Sequence, residues 1–252
     1  MPSKVRLCIE HPLAPGQTIP LSQAQANYLF AVMRLAPGSV LSVFNGRDGE
    51  WDAVVAQPGR RSGTLEAQRQ TRPQTMPPDL WLVFAPVKKA RTDFIVEKAV
   101  EMGVARILPV TTDHSAADRV NLERLQAHST EAAEQCGATF VPPLDPVQRL
   151  GTLLDRWPAG RDLWFCDEAL AGGGAPAPEG GSGPSAILIG PEGGFSPAER
   201  SRLRALSWAS PVRLGPRILR ADTAAVAALA LVQAVRGDWA GSVEQTASGE
   251  TA

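Results

Sequence analysis

Residues 187–199 read Ile-Leu-Ile-Gly-Pro-Glu-Gly-Gly-Phe-Ser-Pro-Ala-Glu, and they decide the class of fold. An apolar run that stops at glycine and proline is a short buried strand. Ser196, Pro197 and Glu199 then open a helix, with serine as N-cap, proline in the first turn and glutamate closing a capping box. Strand, turn and helix in so few residues make the unit of a parallel sheet covered by helices. The same rhythm extends outward. Strands are predicted at Leu80–Val87, Arg106–Val110, Asp162–Cys166, Ala186–Ile189 and Pro211–Leu214. Helices are predicted at Lys88–Met102, Asn121–Cys136, Pro197–Leu206 and Ala221–Val235.

Upstream the character changes. Val5–Ile9, Val40–Asn45, Trp51–Ala56 and Gly63–Gln68 read as strands, with a hairpin turn at 45–49 and one helix over Ser22–Leu35. So many strands in about 72 residues suit a small barrel or half-barrel. The proline-rich stretch Thr71–Asp79 separates the two regions. The expected division is therefore a β module over 1–72, a linker over 73–79, an α/β domain over 80–240 and a disordered tail over 241–252. Residues 169–184, rich in Gly, Ala, Pro and Ser, read as a flexible surface loop.

Composition excludes several classes. The chain has 252 residues, 44% hydrophobic and 20% charged, which is ordinary for a globular protein. Its net charge of -1 offers no global attraction to nucleic acid, so any such partner must be met by a local patch. The β module supplies one candidate, because it holds eight basic and five acidic residues. Arg60, Arg61, Arg69 and Arg72 lie close together in sequence, fitting either an RNA contact or a charged edge strand that resists aggregation. Three dispersed cysteines, without CxxC or a neighbouring histidine, indicate a reducing compartment and no metal. With no signal core and no apolar run of membrane length, a soluble cytoplasmic protein is expected.

Chemistry in such a sheet belongs at the carboxyl ends of the strands. Two turns stand out there. In the first, Gly190, Gly193 and Gly194 allow close backbone approach to a ligand, and Glu192 disfavours a phosphate. Its spacing is that of neither a dinucleotide fingerprint nor a P-loop. The same residues equally suit a plain tight turn with a solvated glutamate. The second turn, Val212–Thr223, carries Ile218 and Leu219, which suit the wall of an aromatic-sized pocket, and offers Asp222 or Thr223 as a helix N-cap. The helix that follows is apolar nearly all round, so it is buried or packed on a partner subunit. No catalytic triad is visible. His114 reads as a surface histidine, and Cys136 as a buried thiol before a C′ glycine. On these residues alone the chain is a two-domain α/β protein with a non-phosphate ligand, and no reaction is named.

The two turns, IGPEGGFSPAE and LGPRILRADTAAVAAL, together with Tyr28–Phe44, RTDFIVEKAVEMGVARILPV at 91–110 and EAAEQCG at 131–137, resemble the 16S ribosomal RNA uridine N3-methyltransferases of the SPOUT superfamily. The resemblance spans nearly the whole chain. It implies an α/β trefoil-knotted parallel-sheet domain preceded by a small PUA-like β-barrel, an S-adenosylmethionine cofactor and a homodimer. The expected substrate is small-subunit rRNA near the decoding centre, within an assembled or nearly assembled 30S particle. Matching motifs place the cofactor against Leu188, Gly190, Glu192, Gly193, Leu214, Gly215, Ile218 and Leu219. Arg6 and Arg220 become the candidates for stabilising the anionic base. Arg34, inside the Tyr28–Phe44 match, joins the four clustered arginines as an RNA-binding candidate. The chain departs from the family pattern at Asp222, where Glu is usual, at Ala221 in place of Thr, and at Ala138 in place of a frequent Arg. Two other readings compete: a non-catalytic RNA-binding assembly factor, and a methyltransferase of the same superfamily acting on tRNA.

Overall fold

The computed structural model describes residues 5–59, 61–115, 119–168 and 183–239. They form two compact units, Met1–Met76 with Ala133–Val141, and Pro77–Ala132 with Pro142–Ala252. The loop expected at 169–184 and the tail at 241–252 fall almost wholly outside the described residues, as does Arg60.

The first unit is a curled five-stranded sheet. Its strands are β1 (Arg6–Cys8), β2 (Thr18–Pro20), β3 (Val40–Phe44), β4 (Glu50–Gln57) and β5 (Thr64–Arg72), ordered β1-β3-β4-β5-β2. Because β1 and β2 are both edges, the sheet is a half-barrel, one of the two forms expected. Alternation builds its core, with Trp51, Ala53 and Val55 of β4 and Leu65 and Ala67 of β5 buried on one face. The expected helix over 22–35 is shorter, because α1 (Gln23–Ala26) passes into a π-helical turn over Asn27–Val32. It stops where Arg34 takes φ +55°, a left-handed position that glycine usually fills.

A contiguous split at the linker misses one piece, since Ala133–Val141 packs with this first unit. The physical reason is Arg6. Its five N–H groups each have a partner: Nε and one N–H of Nη2 reach Glu50, the two of Nη1 reach the carbonyls of Ala133 and Glu134, and the other of Nη2 reaches that of Ala138. Arg72 adds bonds to Glu50 and to the Gly137 carbonyl.

The second unit carries a parallel sheet of β6 (Leu80–Phe84), β7 (Arg106–Thr111), β8 (Gln148–Arg149), β9 (Asp162–Cys166), β10 (Ser185–Ile189) and β11 (Ala209–Val212), ordered β11-β9-β10-β6-β7-β8. Every pairing is parallel. Helices α2 (Lys89–Glu101), α3 (Leu122–Cys136), α4 (Leu150–Asp155), α5 (Pro197–Ala205) and α6 (Ala221–Arg236) accompany it. All five residues of β10 are buried, as expected of a strand covered on both faces. The capping box at α5 is present, with Glu199 N–H donating to Ser196 Oγ and Ser196 N–H to Glu199. At α6 the expectation fails, because the N-cap is Arg220 and both Asp222 and Thr223 lie inside the first turn. Cys136 ends α3 with its thiol exposed, not buried.

Candidate functional site

A cavity of about 280 Å³ opens at the carboxyl ends of β9, β10 and β11. Three adjacent strands end here at Cys166, Ile189 and Val212, and the turns that follow them form the walls. Gly190, Glu192, Leu214, Gly215, Ile218, Leu219 and Arg220 all line it, so two turns separated in sequence meet around one space. Leu188 and Gly193 do not. Leu188 is fully buried in the sheet's core, and Gly193 packs on His114. That histidine has a task after all, with Nδ1 3.0 Å from the Gly193 carbonyl oxygen and 3.2 Å from that of Gly194.

The glycines are required by geometry. Gly194 has φ +67°, and a Cβ there would fall 1.9 Å from the Glu168 carboxylate. A Cβ on Gly190 would press on the Phe195 ring at 3.1 Å.

The charges around the cavity are arranged in pairs. Asp167, buried, lies 3.0 Å from Arg200 Nε and 2.7 Å from Arg204, and Glu168 lies 2.7 Å from Arg200. These three strand-end residues, Cys166 to Glu168, were missed from sequence, although the end of β9 was as eligible as the other two strand ends. Glu192 is paired with Arg91 of α2, whose Nε lies 3.7 Å from Asp222. By contrast, among the described residues no carboxylate pairs with Arg220. Burial pushes the Cys166 thiol up to about 12, so it is protonated and no nucleophile at neutral pH. The lining is part apolar and of mixed charge, with Arg213 and Arg217 beside Arg220. Ile218, mostly exposed, and Leu219 offer apolar surface, and Glu192 offers negative charge.

The comparisons with known proteins agree with this geometry. Residues 74–233 match the RNA methyltransferase domain family, and residues 21–68 match its PUA domain. The chain belongs to the ribosomal RNA small subunit methyltransferase E family. It is 29% identical to the Rickettsia conorii member over 90% of this chain and 94% of that one. With the Synechocystis member it shares 30% identity, over 88% and 76% of the two chains. A crystal structure of the family from Neisseria gonorrhoeae, bound to S-adenosyl methionine, superposes with a TM-score of 0.83 at 27% identity, covering 93% of this chain and 99% of that one. The fold is the SPOUT methyltransferase type behind a PUA-like half-barrel.

The basic residues of the first unit divide. Arg61 and Arg72 stand at opposite ends of β5, whose nine residues span roughly 26 Å, so their closeness in sequence is not closeness in space. Arg69 is 74% exposed and paired with Asp52, whereas Arg72 is tied into the Glu50 network. Arg34 and Arg61 are exposed, and the turn carrying Arg61 adjoins the π-helical turn before Arg34 through Phe30, whose ring lies against Gly63. Among the described residues no cluster could hold a metal ion, and no helix is long and apolar enough to cross a membrane.

Proposed function

We propose that this chain transfers a methyl group from S-adenosylmethionine to N3 of a uridine in small-subunit rRNA. The observation that carries the reading is the cavity itself. Two glycine-bearing turns meet there, with Ile218 and Leu219 as apolar surface for an adenine and Glu192 as a partner for a cation. Gly190, Glu192, Leu214, Gly215, Ile218 and Leu219 would hold the group. Bound there, it supplies an electrophilic methyl on a positively charged sulfur.

The chain's own residues must then position the base and stabilise the charge left when N3 loses its proton. Arg220 suits the second task, since it lines the cavity and is exposed. It is no proton acceptor, because guanidinium stays charged. Arg6 has no N–H left for a base in this structure, and we assign it to anchoring Ala133–Val141 in the first unit.

Arg34 and Arg61 are the residues we assign to RNA, within an assembled or nearly assembled 30S particle in the cytoplasm. The homodimer is supported by Leu231 and Val235 of α6 and by Phe94 of α2, large apolar residues left between 38% and 40% exposed. A test in cells maps 3-methyluridine in small-subunit rRNA with and without this chain, using the reverse-transcription stop that the modification causes. One stop that disappears with the chain supports the reading, and an unchanged pattern refutes it.

A further inference from the structure

Arg91 is the third residue of α2, which has no acidic residue in its first turn. A cation there opposes the helix dipole, so something else must hold it. Two carboxylates do, one from a turn that lines the cavity and one from the helix that follows the other turn. Glu192, on the turn after β10, is hydrogen-bonded to Nη1, and Asp222, in the first turn of α6, lies 3.7 Å from Nε. Arg91 does not line the cavity, whereas Glu192 does.

A guanidinium presents several N–H groups in a fixed fork, so it can bond one carboxylate fully while keeping a second within reach. Asp222 is that second partner. Its Oδ1 accepts from the Thr223 N–H at 2.9 Å, while its Oδ2 is the atom turned to Arg91. At their side chains Arg91, Glu192 and Asp222 are 28%, 43% and 21% exposed, so neither pairing is locked by burial.

We propose that Arg91 and Asp222 form an exchange pair that sets the cavity's preference for a cationic ligand. A cation arriving at Glu192 displaces the guanidinium, which closes on Asp222, so no charge is left without a partner. No bond is made or broken. The pair thereby determines discrimination between S-adenosylmethionine, whose sulfur is cationic, and S-adenosylhomocysteine, whose sulfur is neutral. This rests on the cofactor reading above.

The test is calorimetric titration of the full chain with both ligands in four forms: unaltered, Asp222→Asn, Arg91→Gln and the double variant. Asparagine keeps the acceptor for Thr223 N–H and removes only the alternative charge. Losing a half-exposed ion-pair partner is worth about fivefold in affinity. Asp222→Asn should weaken S-adenosylmethionine by that factor and leave S-adenosylhomocysteine within twofold. Arg91→Gln should raise the preference for the cationic ligand, and adding Asp222→Asn to it should change little. Parallel losses for both ligands, or an equal effect of Asp222→Asn in both backgrounds, would overturn the exchange and leave Asp222 a structural residue. If one variant failed to fold, the ratio of the two affinities in the other would still decide. Should the unaltered chain bind neither ligand, the cofactor reading itself fails, and the exchange with it.

Discussion

Arg6 and Glu50 meet through two hydrogen bonds to a single carboxylate oxygen, 3.0 Å from Nε and 2.6 Å from Nη2, with both side chains nearly buried. The guanidinium also lies 4.7 Å from the centre of the Phe44 ring. This pair joins the first strand to the start of β4, and through Arg6's other donors to the last turn of α3 and the residues just after it. Removing Glu50 leaves the nearly buried Arg6 charge without its carboxylate, and removing Arg6 leaves Glu50 with Arg72 alone and three carbonyls without their donor.

Arg6→Ala should therefore act on stability before it acts on chemistry. The expected loss is about 2 kcal/mol, read as a melting point lower by several degrees. The dissociation constant for S-adenosylmethionine should stay unchanged. Unaltered melting with turnover abolished would return Arg6 to the catalytic role that the family resemblance implies.

Glu50 makes the same network sensitive to acid. Burial raises its carboxyl's pKa, but hydrogen bonds from Arg72 and Arg6 outweigh burial and hold it below the ordinary carboxylate value. A depressed folded value means the stabilisation is complete above the unfolded pKa of about 4.3 and is lost as pH falls through the folded value. Denaturation followed from pH 6 downward should show a flatter decline in Glu50→Gln than in the unaltered chain. Equal slopes would remove Glu50 from the acid response.

Around the cavity, two neighbouring glycines should behave differently. Gly194→Ala puts a side chain on a left-handed backbone and displaces the Glu168 carboxylate that lines the cavity, so cofactor affinity should fall by tenfold or more. Gly193→Ala only presses on the His114 Cβ at 3.2 Å, outside the cavity wall, and should cost a few-fold at most. The reverse order in titrations would place the ligand against Gly193.

RNA binding should depend on Arg34 and Arg61 and not on Arg72. Each neutralised phosphate on a single strand contributes ~0.7 to the salt slope, so Arg34→Ala with Arg61→Ala should flatten the slope by up to about 1.4 across RNA sequences. Arg72→Ala should instead lower the melting point. If Arg72→Ala flattened the salt dependence and the other pair did not, the two ends of β5 would exchange roles.

The repeated strand-turn-helix pattern and the capping box at Ser196 were legible in sequence, because each rests on local spacing. The three-residue strand β2 and the two-residue β8 were not, since strands so short carry no periodicity. Arg6 shows what local sequence cannot supply. Its matching position marked it as catalytic, but its partners at Glu50, Ala133, Glu134 and Ala138 lie 44 to 132 residues away, and no local pattern encodes them. Arg91 was missed for the same reason. Its two carboxylates come from other elements, and its signal was a cation misplaced at a helix N-terminus. Arg61 and Arg72 are close in sequence but stand at opposite ends of β5, because an extended strand carries such residues far apart.

The central claim is the transfer of a methyl group to uridine N3 from a cofactor held in the cavity at the ends of β9, β10 and β11. The most direct measurement incubates the purified chain with small ribosomal subunits and methyl-labelled S-adenosylmethionine, then digests the rRNA and identifies the labelled nucleoside. The account predicts label in 3-methyluridine at one position, turnover lowered at least tenfold by Arg220→Ala, and label at sub-saturating cofactor lowered at least tenfold by Gly194→Ala. Label in another nucleoside, in tRNA instead of rRNA, or undiminished in both variants would contradict it.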